Sequence, residues 1–312
     1  MKNKILILTY EEDPHADSVS SFFDKNKVSY FRVATENLER DYKITFESDS
    51  VYKISDNKKK IYLDSSWNIW NRRVMNPDNK KGMPKTLLDI VIDESELTWD
   101  GLLNFHNGKV VNRPKNHLYA NNKIGQLKFA SGKIKIPDTI ITNDPSCVEE
   151  FYDKHNGNIC FKLQKGAIVD GKVIYTNKVT KEQMKNINLV SRHPCLFQEY
   201  VDKEFEIRIV ATDKTVTGIK IDSQKSEISK IDFRRYDFDN VKYKHINLPD
   251  DVKEFCSSLL TNYGLHFGVL DFIYSKKHQY TFLELNPNGQ WLWLEEESGY
   301  DLTKEVAENL IN

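Results

Sequence analysis

Two apolar runs near the C-terminus constrain the fold of this chain more than any other feature. Gly268-Val269-Leu270-Asp271-Phe272 and Phe282-Leu283-Glu284-Leu285-Asn286 read as two strands that carry acids and an amide, residue types depleted within strands. Residues two apart on a strand share a face, so Glu284 and Asn286 point to the same side. With Asp271 they form a set of three oxygen donors. Such a set suits a hard divalent cation such as Mg²⁺, which takes few protein carboxylates and is completed by substrate phosphates and water. A solvated hairpin is the competing reading.

A chain of 312 residues has room for two or three domains. Charged residues at 29% and hydrophobic residues at 39% describe a soluble globular protein. A net charge of −1 gives no long-range attraction to nucleic acid or an acidic membrane, so neither is an expected partner. Cys147, Cys160, Cys195 and Cys256 form no CxxC pair, and free cytoplasmic thiols are expected. No run approaches the ~20 apolar residues that cross a bilayer. The expected location is the cytoplasm.

The spacing predicts a β-α-β start: strands over 4–9 and 28–33 around a helix opened by Asp13-Pro14. Small antiparallel strands follow at 44–46, 52–54 and 61–63, then Trp67–Trp70 and a helix over 84–104. Asn112-Arg113-Pro114-Lys115 has the turn chemistry of a domain junction. A helix over 120–131 stops at Gly132, and an edge strand spans 136–142. Next come a helix near 145–155, a strand over 159–163, a hairpin from Ala167–Asp170 to Lys172–Tyr175 about Gly171, and a helix over 181–188. From Cys195 the pattern is mainly strands, at 196–200, 204–212, 215–222, 267–274 and 280–285, interrupted by a helix over 250–263. Expected domains are 1–115, 116–195 and 196–312.

Lys162 ends a short apolar strand before the turn Gln164-Lys165-Gly166, where a fixed cation beside flexible N–H groups can neutralise phosphates. Lys123, near a helix start, is a second such cation. Gln198 and Glu199 interrupt an apolar strand whose edge can read an adenine ring and take ribose hydroxyls. Glu206-Ile207-Arg208 sets Glu206 and Arg208 on one face, turning the planar Arg208 fork toward the cleft of the metal strands. Asp232-Phe233-Arg234-Arg235-Tyr236 adds donors in a loop-like stretch.

In that order these parts resemble the ATP-grasp superfamily, in which two α+β lobes clasp ATP. Asn122-Lys123-Ile124-Gly125-Gln126-Leu127, Ile136-Pro137-Asp138-Thr139-Ile140-Ile141-Thr142 and Asn286-Pro287-Asn288-Gly289-Gln290-Trp291 are similar to the microviridin-type, or graspetide, peptide ligases. The β-α-β start and Trp70-Asn71-Arg72-Arg73 are similar to that family's pre-ATP-grasp region. The resemblance implies an N-terminal pre-ATP-grasp α/β domain, a central lobe whose hairpin and helix bind a leader, and a C-terminal lobe with the metal site. It implies ATP and two Mg²⁺ as cofactors, and a precursor peptide, leader plus core, as partner. The reaction implied is phosphorylation of core Asp or Glu side chains, followed by attack of Thr or Ser hydroxyls or Lys amines.

By the same resemblance Asp271, Glu284 and Asn286 hold metal, and Lys123 and Lys162 meet phosphates. Gln198, Glu199, Tyr200, Val201 and Glu206 bind the nucleoside. Arg208 steadies the acyl phosphate, with Arg235, Arg72 and Arg73 as further groups for the reacting peptide. Asp202, Glu204 and Asp232 are candidate bases. Phe233 stands where the family often has Trp. A homodimer is compatible with the resemblance alone. A glutamate-adding amino-acid ligase and a non-catalytic, nucleotide-gated peptide-binding protein are the alternatives.

Overall fold

The computed structural model describes residues 4–47, 51–77, 82–166, 168–169 and 171–312. Of the expected hairpin, Ala167 and Asp170 lie outside the described residues.

The chain opens with β1 (Lys4–Thr9), α1 (Pro14–Lys25) and β2 (Tyr30–Ala34). Asp13 caps α1 by accepting the His15 N–H, and Pro14 sits in the first turn where its missing donor costs nothing. A short α2 (Leu38–Asp41) leads into an antiparallel meander of β3 (Lys43–Glu47), β4 (Val51–Ser55) and β5 (Lys60–Leu63). Then β6 (Trp67–Asn71), the long α3 (Lys85–Phe105) and β7 (Val110–Val111) complete a four-stranded sheet of order β2-β1-β6-β7. Its pairs are parallel, which explains why β1 is an unbroken apolar run buried on both faces.

The stretch expected as a turn at Pro114 and one helix over 120–131 is instead two helices, α4 (Pro114–Ala120) and α5 (Lys123–Ala130). Asn122 caps α5 by accepting the Gly125 N–H, and that cap separates the two. The middle lobe follows with β8 (Thr139–Thr142), α6 (Pro145–Lys154), β9 (Ile159–Lys162), the hairpin β10 (Ile168–Val169) and β11 (Lys172–Val173), β12 (Asn177–Lys178), α7 (Lys181–Met184) and β13 (Cys195–Glu199). Its sheet runs β12-β9-β13-β8. The expected helix over 181–188 is α7 and then a 3₁₀ turn, Ile187–Arg192.

The last lobe is a sheet of order β16-β15-β14-β17-β18, with β14 (Lys203–Thr212), β15 (Val216–Ile221), β16 (Tyr243–Ile246), β17 (Phe267–Ser275) and β18 (Tyr280–Asn286). One face of β14, through Ile207, Ile209 and Ala211, packs on α8 (Asp250–Tyr263). The other face carries Glu206, Arg208 and Val210. Helices α9 (Leu292–Ser298) and α10 (Leu302–Ile311), absent from the strand-dominated expectation, seal that side. Trp291, Leu294, Val306 and Leu310 share one core with Ile5, Val19 and Phe23, so the end of the chain packs against its beginning.

Candidate active site

Strands β17 and β18 pair with Asp271 opposite Glu284, and a register shift follows Asp271. Val269 pairs with Asn286, so the direct pairing places Asp271 on the face shared by Glu284 and Asn286. The Asn286 Nδ2 lies 3.4 Å from Asp271 Oδ2 and 3.3 Å from Glu284 Oε1, so the three side chains meet. Among the described residues no group of three His, Cys, Asp or Glu side chains gathers. The candidate metal site is two acids and an amide, and turning that amide over presents a third oxygen.

Two cations hold this acidic pair. Arg208 on β14 lies opposite Asp271, and its Nη1 donates to both carboxylate oxygens, at 2.7 and 2.9 Å, in an ion pair that is more than nine-tenths buried, while Nη2 donates to the Gln290 carbonyl at 3.2 Å. Lys123 pairs with Glu284. Lys123 reaches it because the Gln126 amide brackets Leu285: Nε2 donates to the Leu285 carbonyl and Oε1 accepts its N–H. The carboxyls respond in opposite directions. Burial works against charge on both, but Lys123 and Lys162 hold Glu284 well below the usual carboxylate range. Asp271 is pushed up, by burial first and by the Glu284 charge, against the pull of Arg208.

The pair stands where two cavities meet. One, of about 620 Å³, lies between the lobes and is lined by Lys123, Lys162, Gln198 to Val201, Lys203 and Glu206. Its size is that of a small-molecule site. Lys162 Nζ donates to Gln198 Oε1 at 2.7 Å, while Gln198 Nε2 donates to Thr139 Oγ1 at 2.9 Å. Gln198 lies on an interior strand with its amide engaged at both ends, by Lys162 and by Thr139. Glu199, Tyr200 and Val201 follow it along the same cavity wall. Glu206 is buried against Lys203 at 2.7 Å, yet its Oε2 has no hydrogen-bond partner. An orphaned buried acceptor at the cavity wall suits a sugar hydroxyl.

The second cavity, of about 810 Å³, shares Asp271, Glu284, Asn286, Phe233 and Arg234 with the first and adds Arg73, Arg208, Tyr236 and Trp293. Two expected arginines lie elsewhere. Arg72 is 2% exposed, 3.4 Å from Asp13 and 2.9 Å from Asn288 Oδ1. It is a buried tie between β6 and the Asn286–Trp291 segment. Arg235 donates to Asn177 Oδ1 at 2.6 Å and lines neither cavity, whereas Arg234 lines both. Asp232 holds Arg234 through Oδ1, which accepts from Nε at 2.8 Å, while its Oδ2 accepts the Thr176 N–H at 3.0 Å. Asp202 and Glu204 line neither cavity. The i, i+2 spacing of Asp232 and Arg234, with Asp232 as a cap, was the available signal for Arg234.

The Asn286–Trp291 segment is clamped from the N-terminal side. Asn112 Nδ2 donates to the Phe267 and Pro287 carbonyls, each at 2.8 Å, and His15 Nε2 accepts the Trp291 N–H at 3.2 Å. Gly289 is needed here for space. A Cβ would lie 2.5 Å from Val269 Cβ and 3.2 Å from Arg208 Nη2. Gly289→Ala is therefore expected to cost about 1–3 kcal/mol, the range for overpacking, and to lower turnover by displacing Arg208. Urea denaturation and initial rates check both parts.

Sequence families match along the chain in two blocks. The MvdD pre-ATP grasp domain matches residues 4–117 and the RimK-like ATP-grasp domain matches residues 120–310. The chain belongs to the RimK-like ATP-grasp family. Similar solved structures include a RiPP-associated ATP-grasp ligase from Chryseobacterium gregarium, in complex with ADP and a leader and core peptide. It is 27% identical, with 99% of this chain and 95% of that one covered and a TM-score of 0.88. The macrocyclase MdnC from Microcystis aeruginosa MRC, bound with precursor peptide MdnA, is 25% identical, with 99% of both chains covered and a TM-score of 0.87. MdnB from the same source, 24% identical with 99% of both chains covered and a TM-score of 0.79, shares the fold. No curated protein sequence matches. Among the described residues no helix is long and apolar enough to cross a membrane.

Proposed function

We propose that this chain is an ATP-dependent ligase that cross-links side chains of a ribosomally made precursor peptide. The observation that carries the reading is the meeting of Asp271, Glu284 and Asn286 with Arg208 at the junction of two cavities. One cavity suits a nucleotide and the other, lined by Arg73, Arg208 and Arg234, suits an acidic peptide side chain. The family and the peptide-bound relatives support the same division.

Asp271, Glu284 and Asn286 are the residues that would hold Mg²⁺, which when bound neutralises charge on the transferred phosphoryl group. Lys162, aimed by Gln198, and Lys123 meet the phosphates of ATP. The Tyr200–Val201 backbone and Glu206 hold the nucleoside. Arg208 and Arg234 receive the substrate carboxylate. A carboxylate oxygen is a poor leaving group, and phosphorylation by ATP makes it a good one. Attack by a hydroxyl or amine of the same peptide then closes the ring and releases phosphate. Most of the catalysis is positioning and charge neutralisation. The hairpin β10–β11 and the segment from α7 are the proposed leader site.

Incubating the chain with ATP, Mg²⁺ and the precursor peptide encoded beside it should remove one water per link, read by mass spectrometry. A gain of an amino-acid mass would indicate the glutamate-adding type instead. No mass change with ATP turned over would defeat the cross-linking reading.

A further inference from the structure

One side chain of the second cavity has no part in this scheme. Tyr236 follows the short turn Phe233–Arg235 with φ of +26°, where a non-glycine residue costs about 1–3 kcal/mol. Such strain persists where the surroundings enforce it. Here the ring stands edge-on to Trp293, with centroids 5.2 Å apart, and stacks on Phe238 at 5.2 Å and 15°. Trp293 is itself stacked on Phe233 at 6.0 Å. The ring is therefore fixed as part of the cavity wall. Arg208, Arg234 and Asp271 line the same cavity as this ring, so its phenol shares a wall with the groups that flank the reacting carboxylate. Burial raises its pKa and keeps the proton in place, despite the two arginines. Among the described residues no side chain or backbone group hydrogen-bonds to its hydroxyl.

We propose that the Tyr236 hydroxyl donates a hydrogen bond to the carbonyl oxygen of the activated substrate side chain as the nucleophile attacks. The inference rests on the cross-linking function above. In that step a C–O or C–N bond forms and the carbonyl π pair moves onto oxygen. The pair returns as the bond to the phosphate oxygen breaks, and phosphate departs with the proton of the nucleophile. Tyr236 keeps its own proton throughout. Arg208 and Arg234 carry charge before and after attack and are drawn to the phosphate. A neutral donor aimed at the carbonyl stabilises the charge that appears only in the transition state.

Tyr236→Phe removes the hydroxyl and keeps the ring. The experiment supplies the full chain with ATP, Mg²⁺ and the precursor encoded beside it, and measures ADP released and links formed. The wild-type chain should make close to one link per ADP. The variant should make at least about tenfold fewer links per ADP, because its acyl phosphate survives long enough to be lost to water. A merely structural role would lower both quantities together and leave their ratio alone. A ratio within about twofold of wild type, whatever the absolute rate, overturns the inference. A wild-type chain that forms no link refutes the cross-linking function itself, and this inference falls with it.

Discussion

Arg208→Ala is expected to lower ring formation by at least about a thousandfold, because one side chain does two things. Its Nη1 donates to both Asp271 oxygens, and it is the guanidinium proposed to receive the substrate carboxylate. Removing it leaves Asp271 buried without its cation, and breaking a buried pair typically costs about 3–5 kcal/mol. Thermal unfolding should therefore register the change along with the rate. Arg208→Lys separates the two effects. A lysine keeps the charge facing Asp271 but not the second nitrogen, which donates to the Gln290 carbonyl, so it should recover much of the stability and little of the activity. Peptide affinity for the leader site, measured by anisotropy, should stay within about threefold in both variants, since Arg208 lies on β14 of the last lobe and the proposed leader site belongs to the middle one. Leader binding lost in step with activity would mean that Arg208 supports the fold and not the reaction.

The parts of this site that were legible in the sequence share a physical property: they are local violations of strand chemistry. Asp271, Glu284 and Asn286 stand out because acids and amides are unfavourable in apolar strands, and the period of two then fixes their common face. Arg208 is legible for the same reason, between Ile207 and Ile209. What the sequence hides is set by partners far along the chain. Arg72 and Arg73 are indistinguishable by pattern, yet Arg72 is buried against Asp13 and Asn288 while Arg73 lines the cavity. Arg234 and Arg235 differ only by the direction in which a single 3₁₀ turn sends them. Tyr236 holds a positive φ that its residue type does not foretell.

The fold divides in the same way. The N-terminal β-α-β unit was readable from an apolar run, a cap and a proline. Strand β16 has only four residues, two of them Lys and His, and is a strand because β15 pairs with it. Helix α10 was readable in principle. Asp301 accepts the Lys304 N–H as its cap, and Leu302, Val306 and Leu310 recur at helical spacing. Its destination was not readable, since it packs against residues nearly three hundred positions earlier.

Glu284→Gln is the companion test, and its expected signature differs from that of Arg208→Ala. The substitution keeps shape and removes one charge from the set of oxygen donors. Glu284 stays charged despite burial because Lys123 and Lys162 face it, so the site invests two cations in this one carboxylate. Its loss should weaken Mn²⁺ or Mg²⁺ uptake with nucleotide by at least about tenfold and ring formation by at least about a thousandfold. Stability should change by only about 1 kcal/mol. The cation left behind, Lys123, has a side chain 18% exposed and reaches solvent, unlike the Asp271 stranded by loss of Arg208. Calorimetric titration of metal in the presence of a non-hydrolysable ATP analogue reads the first effect without any turnover. Metal uptake equal to wild type would remove Glu284 from the donor set, and the two-cation arrangement around it would then have to be explained by phosphate binding alone.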